Sequence, residues 1–301
     1  MSRYDLCLAW NWEYDADFVH MIEVACAARG VSLLQVTSNN LDQVLAGLEK
    51  KEILYRTLFD RASDSDPRFQ PLVDWASRHR SFCVNPQKRT IWSGDKATMH
   101  LEFISHGVYT PHTIILSPYT KESFINQCDL EPLGGSFAIK PACEGGGDGV
   151  ILEATSWEQV LGARQQYPQE KYLLQAHVTT RTLDGRQAWF RVLFCDGAIY
   201  PCWWDQKTHI YARVMAEEKA RLGLRSLRQV PVHIAQICSL HLFSTEIALT
   251  EEGHFLAVDY VNDPVDLRLQ SKAADGVPDV YVESIAARLV RLAEKHRIRS
   301  Y

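Results

Sequence analysis

Lys140 stands in an otherwise apolar run, and Gly145, Gly146, Gly147 and Gly149 follow it closely, in the stretch FAIKPACEGGGDGVIL. An unpaired ammonium is costly to bury, so a lysine inside a strand needs a partner. Glycine removes side chains and lets backbone N–H groups approach a ligand. Several such groups in a row attract anions, most often phosphate. The stretch therefore reads as a phosphate-binding loop. The plain alternative is a surface hairpin whose lysine pairs with Glu144 or Asp148. Two common phosphate motifs are excluded, because Val150 stands where GxxxxGK[ST] needs lysine and GxGxxG needs its last glycine. The flanks read strand–turn–strand, which places a hairpin over the ligand.

Other residues carry weaker chemical signals. Lys207, His209 and Arg213 cluster in WWDQKTHIYARV and suggest an anionic substrate, a carboxylate or phosphate; a solvated basic loop fits equally. Arg268 is a further anion-binding candidate, or the partner of Asp266 or Asp263. Trp203 and Trp204 fit a pocket wall or a packed core. His20, His100, His106 and His241 show no paired spacing and read as structural or surface residues. There is no GxSxG, and no Cys/His pairing stands out. The eight cysteines lack zinc spacing; several lie in apolar runs as buried thiols, which fits a reducing cytoplasm.

Strands and helices alternate over residues 1–90: YDLCLAW, a helix DADFVHMIEVACAARG stopped at Gly30, VSLLQVT, a helix NNLDQVLAGLEKKE, then ILYRTLFDR and SFCVN. This is the rhythm of a parallel sheet with helices on its faces. SGDKATMHLEFISHG predicts a helix capped by Ser93 or Asp95, and VYTPHTIIL resumes a strand. Next come strands FAIKPA and GVILEA, a helix SWEQVLGARQQY and a strand KYLLQAHV. Strand pairs then turn at Asp196-Gly197 and Glu252-Gly253, and a helix DVYVESIAARLVRLAEKHR closes the pattern. Neighbouring strands predict antiparallel sheet here. The charged run MAEEKARLGLRSLRQV reads as a solvated face.

A length of 301 residues suggests two domains or one multi-lobed unit. The formal net charge of −5 argues against a broad nucleic-acid surface. No apolar run reaches membrane-spanning length, and MSRYDLCLAWNWEYD does not read as a signal peptide. The expectation is a cytoplasmic protein without nucleic-acid or membrane partners.

From about residue 85 onward the ordered motifs resemble the ATP-grasp superfamily, in the manner of glutathione synthetase and RimK-type ATP-binding domains. VNPQKRTIWSGDKATMH is similar to the family's N-P…D-K…T entry, and GVYTPHTIIL to its G-I-P-x-P-x-T turn. The strand lysine and glycine loop follow, then LLQAHV at the adenine hinge, WFRVLFCDG with its arginine, and STEIAL and AVDYVNDP with metal-binding positions. The resemblance implies an α/β fold of the α+β grasp kind. An N-terminal parallel α/β domain (1–112) would precede a small subdomain with the glycine loop (113–190) and a C-terminal subdomain with the metal site (191–301).

It also implies roles. Lys96 and Lys140 would hold ATP phosphates under the loop of Gly145, Gly146, Gly147 and Gly149. The backbone near Gln175, Ala176, His177 and Val178 would meet adenine. Arg191, with Lys140, would stabilise the transferred phosphoryl group. Glu246, Asp259 and Asn262 would bind Mg²⁺. Two departures stand out. Ala176 occupies the hinge position that usually carries an acid for the ribose. The final strand reads Asp259-Tyr-Val-Asn262, one residue longer than acid-x-Asn, so a regular strand would send the two side chains to opposite faces. A bulge would realign them; otherwise Asp263 takes over a metal position. The implied reaction is Mg-ATP-dependent ligation of a small-molecule or peptide carboxylate to an amine or thiol. A kinase acting on a hydroxyl and a non-catalytic nucleotide-binding module remain alternatives, and the resemblance makes a homodimer the assembly to test.

Overall fold

The computed structural model describes residues 1–127 and 129–298. The first part alternates β1 (Ser2–Trp10), α1 (Ala16–Arg29), β2 (Leu33–Val36), α2 (Leu41–Glu49), β3 (Ile53–Arg61), α3 (Gln70–Arg78) and β4 (Phe82–Val84). The strands pair in parallel in the order β2-β1-β3-β4. β1 shows why its sequence is apolar without alternation: Leu6 and Leu8 enter one core, Cys7 and Ala9 the other. α1 ends at Gly30, whose φ of 61° supplies the left-handed cap. The sequence reading passed straight from β3 to β4. The intervening α3 opens on a proline in its first turn, where the missing N–H has no intrahelical acceptor to lose.

Two helices follow, α4 (Gln87–Gly94) and α5 (Lys96–Ser105). Asp95 caps α5, its carboxylate accepting from Ala97 N at 3.0 Å and Thr98 N at 3.1 Å; Ser93 lies inside α4. A second sheet joins β5 (Thr113–Leu116), β6 (Phe137–Pro141), β7 (Ile151–Ala154) and β8 (Tyr172–Ala176), antiparallel in the order β5-β8-β6-β7. Helix α6 (Trp157–Gln166) packs Trp157, Val160 and Ala163 onto it.

A short hairpin of β9 (Thr182–Leu183) and β10 (Arg186–Gln187) leads to the third sheet. It contains β11 (Trp189–Cys195), β12 (Ala198–Trp204) and β13 (Tyr211–Arg213), then β14 (Leu242–Leu249) and β15 (Phe255–Asn262). The order is β13-β12-β11-β14-β15, antiparallel throughout. Between β13 and β14 lie α7 (Ala216–Arg221) and α8 (Gln229–Cys238), and α9 (Asp279–Ile298) follows β15. The run expected to be a solvated face is one over α7, which buries none of its residues, but Leu224 and Leu227 turn inward after it and join the core.

The third sheet is covered on both faces. Phe190, Val192 and Phe194 share a core with α8, whereas Leu193 and Cys195 share one with α9. That second core also holds Leu6, Leu8, Phe18 and Ile22, so α9 fills one face of the first sheet as well. Asn85, just after β4, adds a polar tie: its side-chain oxygen accepts from the N–H groups of His241 at 2.8 Å and Leu242 at 3.0 Å.

Candidate active site

Sheet pairing brings the charged residues together. Arg191 on β11 sits opposite Glu246 on β14, and Glu246 sits opposite Asp259 on β15. Arg191 shares the β11 face of Leu193 and Cys195, but lies further along the strand. Its Nη1 donates to Glu246 Oε1 at 2.6 Å and its Nη2 to Ser244 Oγ at 3.3 Å. Trp189 Nε1 donates to the other Glu246 oxygen at 3.2 Å.

The face problem on β15 is solved by a bulge. Ser244 pairs with Asn262 and Glu246 with Asp259, so three steps on β15 match two on β14. Asn262 and Asp259 then meet, with Asn262 Nδ2 donating to Asp259 Oδ2 at 2.9 Å. Asp263 turns elsewhere, accepting from Thr90 Oγ1 at 2.9 Å, and burial pushes its carboxyl up to about 6.

Lys140 reaches the same place from β6. Its Nζ donates to Gln175 Oε1 at 2.7 Å. Burial lowers its pKa, against the pull of Asp259 and Glu246, so these two acids rather than Glu144 or Asp148 supply the opposing charge. Burial and the neighbouring Asp259 push the Glu246 carboxyl up. Burial would do the same to Asp259, but Lys140, Lys96 and Arg191 outweigh it and hold Asp259 below its usual range. Three cations and two carboxylates thus converge from β6, α5, β11, β14 and β15. Glu246, Asp259 and the Asn262 amide oxygen are the hard donors available to a Mg²⁺ ion. Among the described residues no third His, Cys, Asp or Glu joins them in a metal-binding group.

The glycine loop joins β6 to β7 as an antiparallel hairpin. Gly146, Gly147 and Gly149 adopt φ of 63°, 82° and 68°. Gly149 is also sterically required, since a Cβ there would lie 2.6 Å from Tyr167 Cε2. Lys96 Nζ donates to the Glu144 carbonyl at 2.5 Å, which fixes the root of the loop. Cys143, beside that root, is an exposed thiol.

At the expected hinge, Ala176 N already donates to the His112 carbonyl at 2.9 Å. His177 and Val178 lie beyond the end of β8. Gln175 holds a role that the sequence reading missed: its side chain, not its backbone, faces the charged cluster. Gln175 Nε2 stands 3.2 Å from Tyr260 Oη, which lies 2.6 Å from His100 Nδ1. This buried relay orients Lys140. A polar residue at an inward position of an otherwise apolar strand, as in YLLQA, was the available signal.

The expected substrate residues divide. Arg268 is committed to Asp266 at 2.7 Å and Asp275 at 2.8 Å, so the anion-binding expectation gives way to its salt-bridge alternative. Arg213 lies over the Tyr281 ring at 5.3 Å. Lys207 is exposed in the turn capped by Asp205, whose carboxylate accepts from the Lys207 N–H at 2.8 Å. His209 stacks on Trp204 at 5.4 Å, and Trp204 in turn lies 5.1 Å under the Arg191 guanidinium. Trp203 faces the core against Phe190. The two adjacent tryptophans therefore serve one core and one site.

No family profile and no curated protein sequence matches the chain. Solved structures do. A D-alanine–D-alanine ligase from Bacillus anthracis, complexed with ATP, aligns over 98% of this chain and 99% of its own, at TM-score 0.64 and 12% identity. The ATP-grasp ligase PsnB, complexed with precursor peptide PsnA2 and AMPPNP, aligns over 98% and 99% at TM-score 0.62 and 11% identity. A RimK domain ATP-grasp protein from Sphaerobacter thermophilus covers 95% and 99% at TM-score 0.60 and 15% identity. This chain has the ATP-grasp fold. The charged cluster lies where strands of the β5–β8 sheet and of the β11–β15 sheet converge. No helix among the described residues is long and apolar enough to cross a membrane.

Proposed function

We propose that the protein is a Mg-ATP-dependent ligase that activates a carboxylate as an acyl phosphate and joins it to an amine or thiol, releasing ADP and phosphate. The observation that carries this reading is the convergence of Lys140, Lys96 and Arg191 on Glu246 and Asp259 beside a glycine hairpin. Structural relatives complexed with ATP or AMPPNP support it.

Lys140 and Lys96 hold phosphate oxygens as point charges, with Lys140 aimed by Gln175. The N–H groups of Gly146, Gly147 and Gly149 close over the outer phosphates. Arg191 faces the oxygens on which charge grows during phosphoryl transfer. Glu246, Asp259 and Asn262 would hold Mg²⁺, which would neutralise phosphate charge. Closure of the hairpin keeps water from the acyl phosphate.

A thermal-shift titration with MgATP, MgADP and MgGTP tests the reading. The wild type is expected to rise in Tm with adenine nucleotides only, and Lys140→Ala to lose that rise while keeping a cooperative transition. Nucleotide shifts that survive in Lys140→Ala would remove the phosphate assignment. ADP release that requires both a carboxylate and a nucleophile then establishes ligation.

A further inference from the structure

Lys140 and Lys96 come from different elements, and one buried polar chain ties them together. Lys140 stands on β6 beside β8, where Gln175 pairs opposite Ala138 and lies diagonally across from Lys140. Tyr260 stands on β15, in the third sheet, and His100 stands on α5 one turn after Lys96. Gln175, Tyr260 and His100 are 2%, 2% and 4% exposed. The chain therefore crosses from the second sheet to the third and ends on the helix that carries the other lysine.

Its hydrogens can run only one way. An ammonium has donors alone, so Lys140 Nζ makes Gln175 Oε1 the acceptor, at 2.7 Å. The Gln175 amide then presents Nε2 to the other side, toward Tyr260 Oη at 3.2 Å and Thr113 Oγ1 at 3.4 Å. Thr113 gives its own hydrogen to the Pro111 carbonyl at 2.9 Å, and so receives the second amide hydrogen. Tyr260 Oη, having accepted from Gln175, has its hydrogen left for His100 Nδ1 at 2.6 Å. Burial raises the Tyr260 phenol well above its ordinary value, which keeps that hydrogen in place. Burial first, and the charge of His112 second, lower His100, which keeps its ring neutral. A neutral imidazole with Nδ1 as acceptor carries its hydrogen on Nε2. An imidazolium would donate from both nitrogens and take away the acceptor at the end of the chain.

The placement of Tyr260 depends on the β15 bulge. Three steps on β15 match two on β14, which brings Asp259 and Asn262 together and leaves Tyr260 in the core against Phe103, at 5.1 Å between rings. From there its hydroxyl meets Gln175 and His100. The extra residue in β15 thus supplies a polar cross-tie between two sheets as well as a spacing.

We propose that His100 and Tyr260 are positioning residues: neutral His100, as the acceptor that ends the chain, fixes through Tyr260 and Gln175 where the Lys140 ammonium stands relative to Lys96. Lys96 in turn holds the Glu144 carbonyl at the root of the glycine loop, at 2.5 Å, so one helix sets the spacing of both lysines and of the loop root. That this spacing serves the phosphates of a nucleotide rests on the ligase reading; the direction of the chain and its coupling to Lys140 do not.

Nitrogen NMR of the full chain, with labelled histidine, reads the chain without a nucleotide; the His100 signals are those missing from His100→Asn. At neutral pH His100 is expected neutral, with its hydrogen on Nε2, and its Nδ1 signal is expected to move in both Tyr260→Phe and Lys140→Met. A hydrogen on Nδ1, or an Nδ1 signal unmoved in Lys140→Met, overturns the proposal. Calorimetry with MgATP and with adenosine reads the use of the chain. Tyr260→Phe and His100→Leu should each weaken MgATP about tenfold, the weight of one hydrogen bond next to a charge, and adenosine by about twofold at most. His100→Asn, whose amide oxygen can accept where Nδ1 does, should stay within about threefold of wild type for MgATP. In a Lys140→Met background, Tyr260→Phe should add no further loss. Equal losses for the two ligands, or His100→Asn as weak as His100→Leu, would make these residues packing alone and overturn the proposal. A wild type that binds neither ligand sinks the ligase reading, and the NMR result then decides the chain by itself.

Discussion

Two arginines in this chain, one buried and one half-buried, each meet a carboxylate at 2.6 Å, and they differ in their surroundings. Arg61 and Asp15 are sealed, with side chains 3% and 1% exposed, and Arg61 is flanked by the rings of Phe18 and Phe59. Arg191 and Glu246 are 17% and 14% exposed, and a second acid, Asp259, presses on Glu246. The first pair is nearly closed, lacking one acceptor at Nη1. The second pair is one edge of a network with more charge than it can neutralise internally. The difference is that between a pair that holds the fold and a cluster that, on the ligase reading proposed above, is arranged for a metal and phosphates. An ion pair alone therefore says little about role; what lies against it decides.

That contrast can be broken experimentally. Arg61→Ala leaves Asp15 charged and buried, and should cost about 3–5 kcal/mol in denaturant unfolding. Arg191→Ala relieves a cation but leaves Glu246 near Trp189 and Lys140. It should lower turnover about 100-fold or more while costing less stability than Arg61→Ala. If the stability costs are equal, Arg191 is a structural residue like Arg61. Asn262→Ala should weaken Mg²⁺-dependent turnover about tenfold and nucleotide binding without metal much less, about the weight of one ligand or its support. Equal loss of both would make Asn262 a strand residue only. Gly149→Ala combines a left-handed φ with a Tyr167 contact and should cost about 1 kcal/mol or more, read as a lower Tm.

The smallest effect separates Asp263 from both pairs. Its carboxyl is raised to about 6 from an ordinary 3.8. A raised folded-state value means that the stabilisation is full below the unfolded value and is lost as pH climbs through the folded one. Asp263→Asn should therefore gain Tm over wild type as pH rises from about 4 to about 6, and hold that gain at neutral pH. A difference independent of pH would show that Asp263 is not held at the raised value.

The strand residues of the cleft were legible because chemistry breaks pattern there: Lys140 in FAIKP, Arg191 in WFRVLFC and Glu246 in LFSTEIAL each interrupt an apolar run. The bulge was legible from a spacing that fits no regular strand. The buried place of Arg61 was not. DRASDSD after β3 has the composition of a solvated turn, and only the fold shows Arg61 turned inward beneath it. Gln175 was assigned to its backbone because sequence order places it at a hinge, whereas the side-chain contact with Lys140 depends on β6 pairing beside β8. Helix α8 was missed because Pro231 stands in its first turn and a dense charge run precedes its short apolar face.

The sharing of one core by β1 and α9 has a consequence for the order of folding. Arg29 in α1 meets Glu294 in α9 across a separation of 265 residues, and the apolar face formed by Leu6, Leu8, Phe18 and Ile22 is closed by Val282, Ile285, Leu289 and Val290. On a ribosome β1 and α1 must wait for α9, with the face they share open on that side in the interval. Closing so long a loop is slow, and an open sheet face invites association with other chains in the interval. The polar tie from Asn85 to β14 is delayed in the same way. The first sheet reaches its final stability only when α9 arrives.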